Sequence, residues 1–326
     1  MYYKKFLIFS LLLLFSNGDV FSQELIEIKP NNTSHKFPFL KYQNKPDIQE
    51  KVNAFLQLKY LLHLPNDYKN NPFEKVFNRE IVANDYEFIN WKQRKLNDNI
   101  ICIQLDQKLN GKSVIYLEHF DKRTGDFFDL YDLFNNNGKQ KLHEEISKKI
   151  KQLVDIGKVP SLQHNVNISY RLLEEQLEIV FIKITNEKLI LTYDALKPFL
   201  SAFGKNLFFP SEDIIRRPDL SNKLLRAESD SFMGKDIYHI LILKVATDGK
   251  TKIYKWRDKR KKADKYTEAF VKNDSIKADD FVWDSLQEKK VHAMNKLHLK
   301  RLDNDSGWKG EIQSGSMVQY LTFKEY

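Results

Sequence analysis

His143, Glu144 and Glu145 open like a zinc-protease helix, in which two histidines four residues apart bind the metal and the glutamate between them acts as base. Ser147 stands where the second histidine is needed, so the motif fails. The other histidines, His35, His63, His119, His164, His239, His292 and His298, lack the short spacings of a metal-ligand set. Neither a metal nor another cofactor is expected. Cys102, the single cysteine, cannot form an internal disulfide and lies in an alternating apolar stretch. It reads as a small buried hydrophobe, with a catalytic thiol as the alternative. No glycine-flanked serine elbow and no glycine-rich phosphate loop occurs, and 11 glycines in 326 residues leave little from which to build one. Glu144 with Glu145, Glu174 with Glu175 and Asp279 with Asp280 are sequence neighbours, whose side chains diverge on a helix or strand. The balance leans away from an enzyme. Carboxylates that converge only through the fold, as in a polysaccharide hydrolase, stay open as an alternative.

The densest basic cluster runs over residues 255–262 and mixes cations with an aromatic ring. Trp256, Arg257, Arg260 and Lys261 are its candidate contact residues for an anionic polymer, and a solvated loop is the competing reading. Residues 1–23 have the layout of an export signal: Lys4 and Lys5, an apolar run over 6–15, then a polar break at Ser16, Asn17, Gly18 and Asp19. Cleavage is expected next to Ser22 or Gln23, giving a periplasmic or secreted protein; an uncleaved anchor is the alternative. Removal of residues 1–22 takes Lys4, Lys5 and Asp19, so 53 basic and 44 acidic residues become 51 and 43, a net charge of about +8. That balance favours anionic partners such as surface polymer, and export argues against nucleic acid. No later stretch is apolar for long enough to suggest an integral membrane segment.

The elements that must position these residues fall into two parts. A chain of this length suits two domains, and the polar stretch Arg216, Arg217, Pro218, Asp219 marks a seam: 1–22 signal, 23–215 α+β domain, 216–326 smaller β-rich domain. Pro46 and Asp47 start an amphipathic helix on Ile48, Val52, Phe55, Leu56 and Leu62. Ile101, Ile103 and Leu105 alternate with Cys102, Gln104 and Asp106 as in a half-buried strand, and Asn110-Gly111 turns it into a partner over 114–120. Leu142, Ile146, Ile150 and Leu153 mark a second helix stopping at Gly157, and two further strands follow. Helices on an antiparallel sheet make the fold class α+β. The second part opens with a hairpin turning at Asp248-Gly249. A short helix is expected around 281–286, and strands around 294–302 and 318–323.

The order of features from Pro46 to about Ile215 resembles a family of bacterial extracytoplasmic domains of unknown function, found as the ectodomain of lysozyme-sensing anti-sigma factors and the N-terminal domain of peptidoglycan deacetylases. The residues that carry it are the helix over 47–62, then Phe120, Asp121, Lys122, Arg123, Thr124, Gly125 and Phe127, followed by the step Leu130, Tyr131, Asp132, Leu133, Phe134, and the segment 188–210. Where the family closes an aromatic and proline pair quickly with small residues and Gly, this chain spreads Pro198, Phe199, Leu200, Ser201, Ala202, Phe203 and Gly204. The likeness covers about half the chain and stops before Leu224; the chain has neither a deacetylase domain nor a second membrane segment. What the resemblance implies is an exported, non-enzymatic binding protein of the cell envelope that recognises a protein such as lysozyme or cell-wall glycan. A structural envelope protein without ligand and a cell-wall polysaccharide hydrolase are the alternatives.

Overall fold

Pro46, with no N–H to leave unpaired, occupies the first turn of helix α1, Pro46–Leu56, and Ile48, Val52, Phe55 and Leu56 form its buried face. The helix continues as one π-helical turn over Gln57–Leu61. The computed structural model describes residues 23–28, 36–61, 86–94, 98–109, 111–157, 168–181, 187–210, 223–231, 234–243, 250–257, 267–272, 275–284, 289–302, 307–314 and 317–326. The expected export signal lies outside them, as does the expected seam at 216–222. Strands β1, Gln23–Ile28, and β2, Phe37–Tyr42, pair antiparallel beside α1. Asn53 fastens the helix to β2: its amide oxygen accepts the Leu40 N–H at 2.8 Å and its amide nitrogen donates to the Leu40 carbonyl at 2.9 Å.

A four-stranded antiparallel sheet follows in the order β3, Tyr86–Arg94; β4, Ile100–Leu109; β5, Lys112–Asp121; β6, Phe127–Phe128. Because side chains alternate across a strand, β4 serves two cores at once. Ile101, Ile103 and Leu105 join Phe120 against α1, whereas Ile100 and Cys102 join Phe128 in a second core. That second core is closed by helix α2, Asn136–Asp155, capped by Asn135 and ending at Gly157 with φ 71°, and by the three-stranded sheet β7, Ile168–Leu172; β8, Gln176–Phe181; β9, Lys188–Thr192. Helices α3, Tyr193–Leu196, and α4, Ala202–Phe208, complete it.

The remaining strands form one closed antiparallel barrel: β10, Leu224–Ser231; β11, Gly234–Leu243; β12, Lys250–Arg257; β13, Thr267–Lys272; β14, Ser275–Asp284; β15, Lys289–Arg301; β16, Trp308–Ser314; and β17, Met317–Glu325, which pairs back onto β10. An eight-stranded barrel is just wide enough to be filled by side chains. Leu225, Ile240, Ile242, Ile253, Ile276, Leu297, Leu299, Trp308, Ile312, Leu321 and Phe323 fill this one. Gly310 is required there, since a Cβ would overlap the Phe323 ring. Outside, Lys250, Lys252, Lys277, Lys300, Lys309 and Lys324 are exposed. A greasy interior and a cationic exterior are the reverse of a membrane-spanning barrel, whose lipid face is apolar. Among the described residues no helix is long and apolar enough to cross a membrane.

The fold is thus mixed α and β with a β-rich second part, in which the described residues are all strand or its ends, but it carries more sheet than the sequence pattern suggests. The expected helix at 281–286 is a correction: Phe281, Val282, Trp283 and Asp284 end strand β14, paired with His292, Val291, Lys290 and Lys289. A register shift between Asp279 and Phe281 breaks the alternation by which the strand would have been read. The aromatic and β-branched residues there suit a pleated strand.

Candidate functional site

The residues best equipped for chemistry are mostly committed to holding the fold. Cys102 and His119 face each other across β4 and β5, the juxtaposition from which a thiolate–imidazolium pair could arise. Burial prevents it. Desolvation pushes the Cys102 thiol up to about 12 and the His119 imidazole down to about 3, so both are neutral. His119 stacks on Tyr170, ring centroids 4.7 Å apart, and neither ring nitrogen has a hydrogen-bond partner among the described residues. His143 is exposed on α2, and among the described residues no three His, Cys, Asp or Glu side chains gather to hold a metal ion.

The residues that carry the family resemblance also bind the chain to itself. Asp121, fully buried, accepts from the Arg123 backbone N–H and Nε, both at 2.9 Å, while Arg123 Nη2 donates to its other oxygen at 2.8 Å. The same guanidinium reaches α4, where Nη1 donates to Asn206 Oδ1 at 2.8 Å. Thr124 Oγ1 accepts the Asp126 N–H at 3.2 Å, and the Asp126 carboxylate is bonded to Lys51 of α1. Gly125 turns between them with φ 72°, a conformation L-residues avoid. Asp129 and Asp132 cap the 3₁₀ turn Leu130–Leu133 reciprocally. These side chains therefore clamp α1 and α4 onto the sheet, and a buried charge already paired this way is not free for a ligand.

A groove of about 470 Å³ runs between the start of α1 and the barrel and holds several carboxylates, which is where a hydrolase would place its acid and base. Most are engaged by cations. Glu50 lies 3.7 Å from Arg226 and accepts the Tyr326 hydroxyl at 3.1 Å, Glu228 lies 3.2 Å from Arg226, and Glu325 lies 2.6 Å from Lys223. Each of these three carboxylates thus already has a cation beside it within the groove.

The outer face of the barrel is different in kind. Cross-strand register sets Lys250, Phe270, Lys277, His298, Glu311 and Tyr320 in one row over six strands. The adjacent row holds Ser275, Lys300, Lys309 and Thr322. Phe270 is 59% exposed and Tyr320 62%, large values for aromatic rings. Lys300 and Lys309 stand directly opposite each other on β15 and β16, an arrangement that repels unless something anionic lies over it. Neither forms an ion pair among the described residues; the Lys309 ammonium sits 5.1 Å from the Tyr320 ring centroid. Cations spaced at about 5 Å with open aromatic faces between them suit a linear anionic chain bearing rings or apolar faces.

Of the contact residues read from sequence, Trp256 and Arg257 close strand β12, opposite His239 and Tyr238. Arg260 and Lys261 lie outside the described residues. The Lys300, Lys309 and Tyr320 surface was missed by the sequence reading. Its trace was the alternation Lys296, Leu297, His298, Leu299, Lys300 and the reprise Trp308, Lys309, Gly310, Glu311, Ile312, in which cations fall on the outward positions. No family profile matches the chain, and no curated protein matches it. Among solved structures the chain is similar to a DUF3298 family protein from Pseudomonas aeruginosa PAO1, at 16% identity over 58% of this chain and 97% of that one with a TM-score of 0.39, a likeness too distant to assign fold or function.

Proposed function

We propose that this chain is an exported, non-enzymatic binding protein of the bacterial cell envelope whose barrel recognises an anionic envelope polymer such as charged cell-wall glycan. The observation that carries the reading is the opposed pair Lys300 and Lys309, exposed and flanked by Lys277 and the open Tyr320 ring. An anion laid along the two rows would relieve their repulsion, and sugar rings would cover Phe270 and Tyr320. The layout of residues 1–23 supports export, and the resemblance over 46–215 supports an envelope role. The ion-paired carboxylates of the groove favour binding over hydrolysis.

Co-sedimentation of the chain with purified wall sacculi tests it. Binding at about 50 mM salt should weaken roughly tenfold or more by about 300 mM, because exposed charges are screened over a Debye length. The double variant Lys300→Glu, Lys309→Glu should abolish it with the far-ultraviolet circular dichroism unchanged. Salt-independent binding, or full binding by the double variant, would refute the assignment to this face. A protein ligand such as lysozyme is the other partner the resemblance implies. Saturable heat on titration with lysozyme, with no binding to sacculi, would move the function to protein recognition.

A further inference from the structure

Five lysines on the outer wall of the barrel fall on one line. Lys250 of β12 stands opposite Phe270 of β13, and Phe270 opposite Lys277 of β14. Lys277 stands opposite His298 of β15, and Lys300 comes two residues farther along that strand, on the same face. Lys300 faces Lys309 of β16, Lys309 faces Thr322 of β17, and Lys324 again comes two residues farther on. β15 and β17 both run antiparallel to β16, so the two steps slant the same way and the line does not double back. All five lysines are exposed, and the ammonium groups of Lys277, Lys300 and Lys324 form no ion pair among the described residues. Five strand spacings of about 4.8 Å make the line about 25 Å long.

At Lys324 the line ends. Arg226 of β10 stands directly opposite, but Glu228 at 3.2 Å and Glu50 at 3.7 Å already hold its guanidinium, and Asp47 and Glu325 line the groove beyond. An anionic chain lying on the lysines is repelled there. Glu311, between His298 and Tyr320, flanks the line rather than interrupting it. From Lys277 to Lys324 each cation is one strand spacing of about 5 Å, or one diagonal of about 7–8 Å, from the next. The wider gap, from Lys250 to Lys277, is filled by the Phe270 ring, 59% exposed, and the Tyr320 ring lies open beside Lys309. Flat apolar faces set among closely spaced cations suit sugar rings that each carry an acid. A neutral glycan whose charge hangs on side branches lacks that density.

We propose that this line binds an acidic polysaccharide bearing a carboxylate on every sugar, with about five or six sugars in contact at once. The proposal names the ligand of the barrel face described above and rests on that reading. Lys300 and Lys309 hold the middle of the chain, Lys277 and Lys324 its flanks, and Phe270 takes the face of a sugar ring toward Lys250. The acidic groove stops the chain at Lys324.

Calorimetric titration of the full chain with oligogalacturonates of increasing length, at about 50 mM salt, tests it. Affinity should climb with length to about six sugars and then level off. Lys277→Gln and Lys324→Gln should each weaken that fragment roughly three- to tenfold and lower the slope of log Kd against log salt by about one, as each removes one counterion-releasing contact. A two-sugar fragment, which spans only the Lys300 and Lys309 pair, should be nearly indifferent to both. Binding that is lost in the double variant Lys300→Glu, Lys309→Glu but unchanged by Lys277→Gln and Lys324→Gln keeps the face and overturns the line. A chain that binds sacculi and no uronate of any length overturns the polysaccharide class and leaves the envelope reading standing; binding to neither overturns both. Tighter binding of an oligothymidylate of equal charge overturns the assignment to a sugar acid in favour of nucleic acid.

Discussion

His119 shows how one buried side chain sets a pH limit on the fold. Its pKa is depressed to about 3 by desolvation, against about 6.5 in the unfolded chain, so between those values only the unfolded state takes up the proton. The contribution of the neutral ring is fully present above about pH 6.5 and falls by about 1.4 kcal/mol for each pH unit below it until the folded pKa is reached. His119→Phe keeps an aromatic ring against Tyr170 and Phe128 and removes the titration. Urea unfolding at pH 7, 5 and 4 should give the variant a clearly shallower loss of stability than the parent, and parallel slopes would mean that His119 is not buried in solution. The Asp121–Arg123 clamp belongs to the same scale. Its residues were visible in the sequence as a turn between a strand and a helix, but their burial was not, because the partner Asn206 is 83 positions away.

Among the elements, α1 was legible because every local signal agreed: Pro46 at its start, Asp47 in its first turn and apolar residues at helical spacing. What the spacing conceals is Asn53, a polar residue in the middle of the buried face. It acts as a short substitute for a strand, satisfying both backbone groups of Leu40 on the side away from β1. Asn53→Leu preserves volume yet strands a donor and an acceptor in the core, and should cost about 2–4 kcal/mol in chemical denaturation. If the cost is instead below about 1 kcal/mol, water reaches Leu40 and the helix is fastened by packing alone. Strand β14 marks the opposite limit of legibility. Its bulge shifts the period midway, so a run of strand-forming residues resembled the face of a short helix.

At the scale of the molecule, the opening hairpin and the strands around 294–302 and 318–323 were legible in the sequence but the barrel was not, because closure depends on β10 meeting β17 across a hundred residues, through pairs such as Leu225 with Glu325. Its cationic rows were hidden for the same reason, each being assembled from several strands. Two residues of its outer wall, Leu224 and Leu241, are apolar and buried in the core that contains Ile48, Val52 and Phe55. Tyr254 and Tyr326 pack against that core from the barrel side, and the Tyr326 hydroxyl donates to Glu50. The barrel therefore covers one flank of the first unit rather than hanging from a linker, and the two should unfold together. Leu241→Glu places a carboxylate among those apolar side chains without touching the barrel interior, where Ile240 and Ile242 point. An unpaired buried charge is resolved by opening the contact, so calorimetry should turn one transition of the parent into two in the variant, with the far-ultraviolet spectrum at low temperature unchanged. A parent that already unfolds in two steps would show that the shared core is too weak to couple the units, leaving the barrel free to move against the first unit.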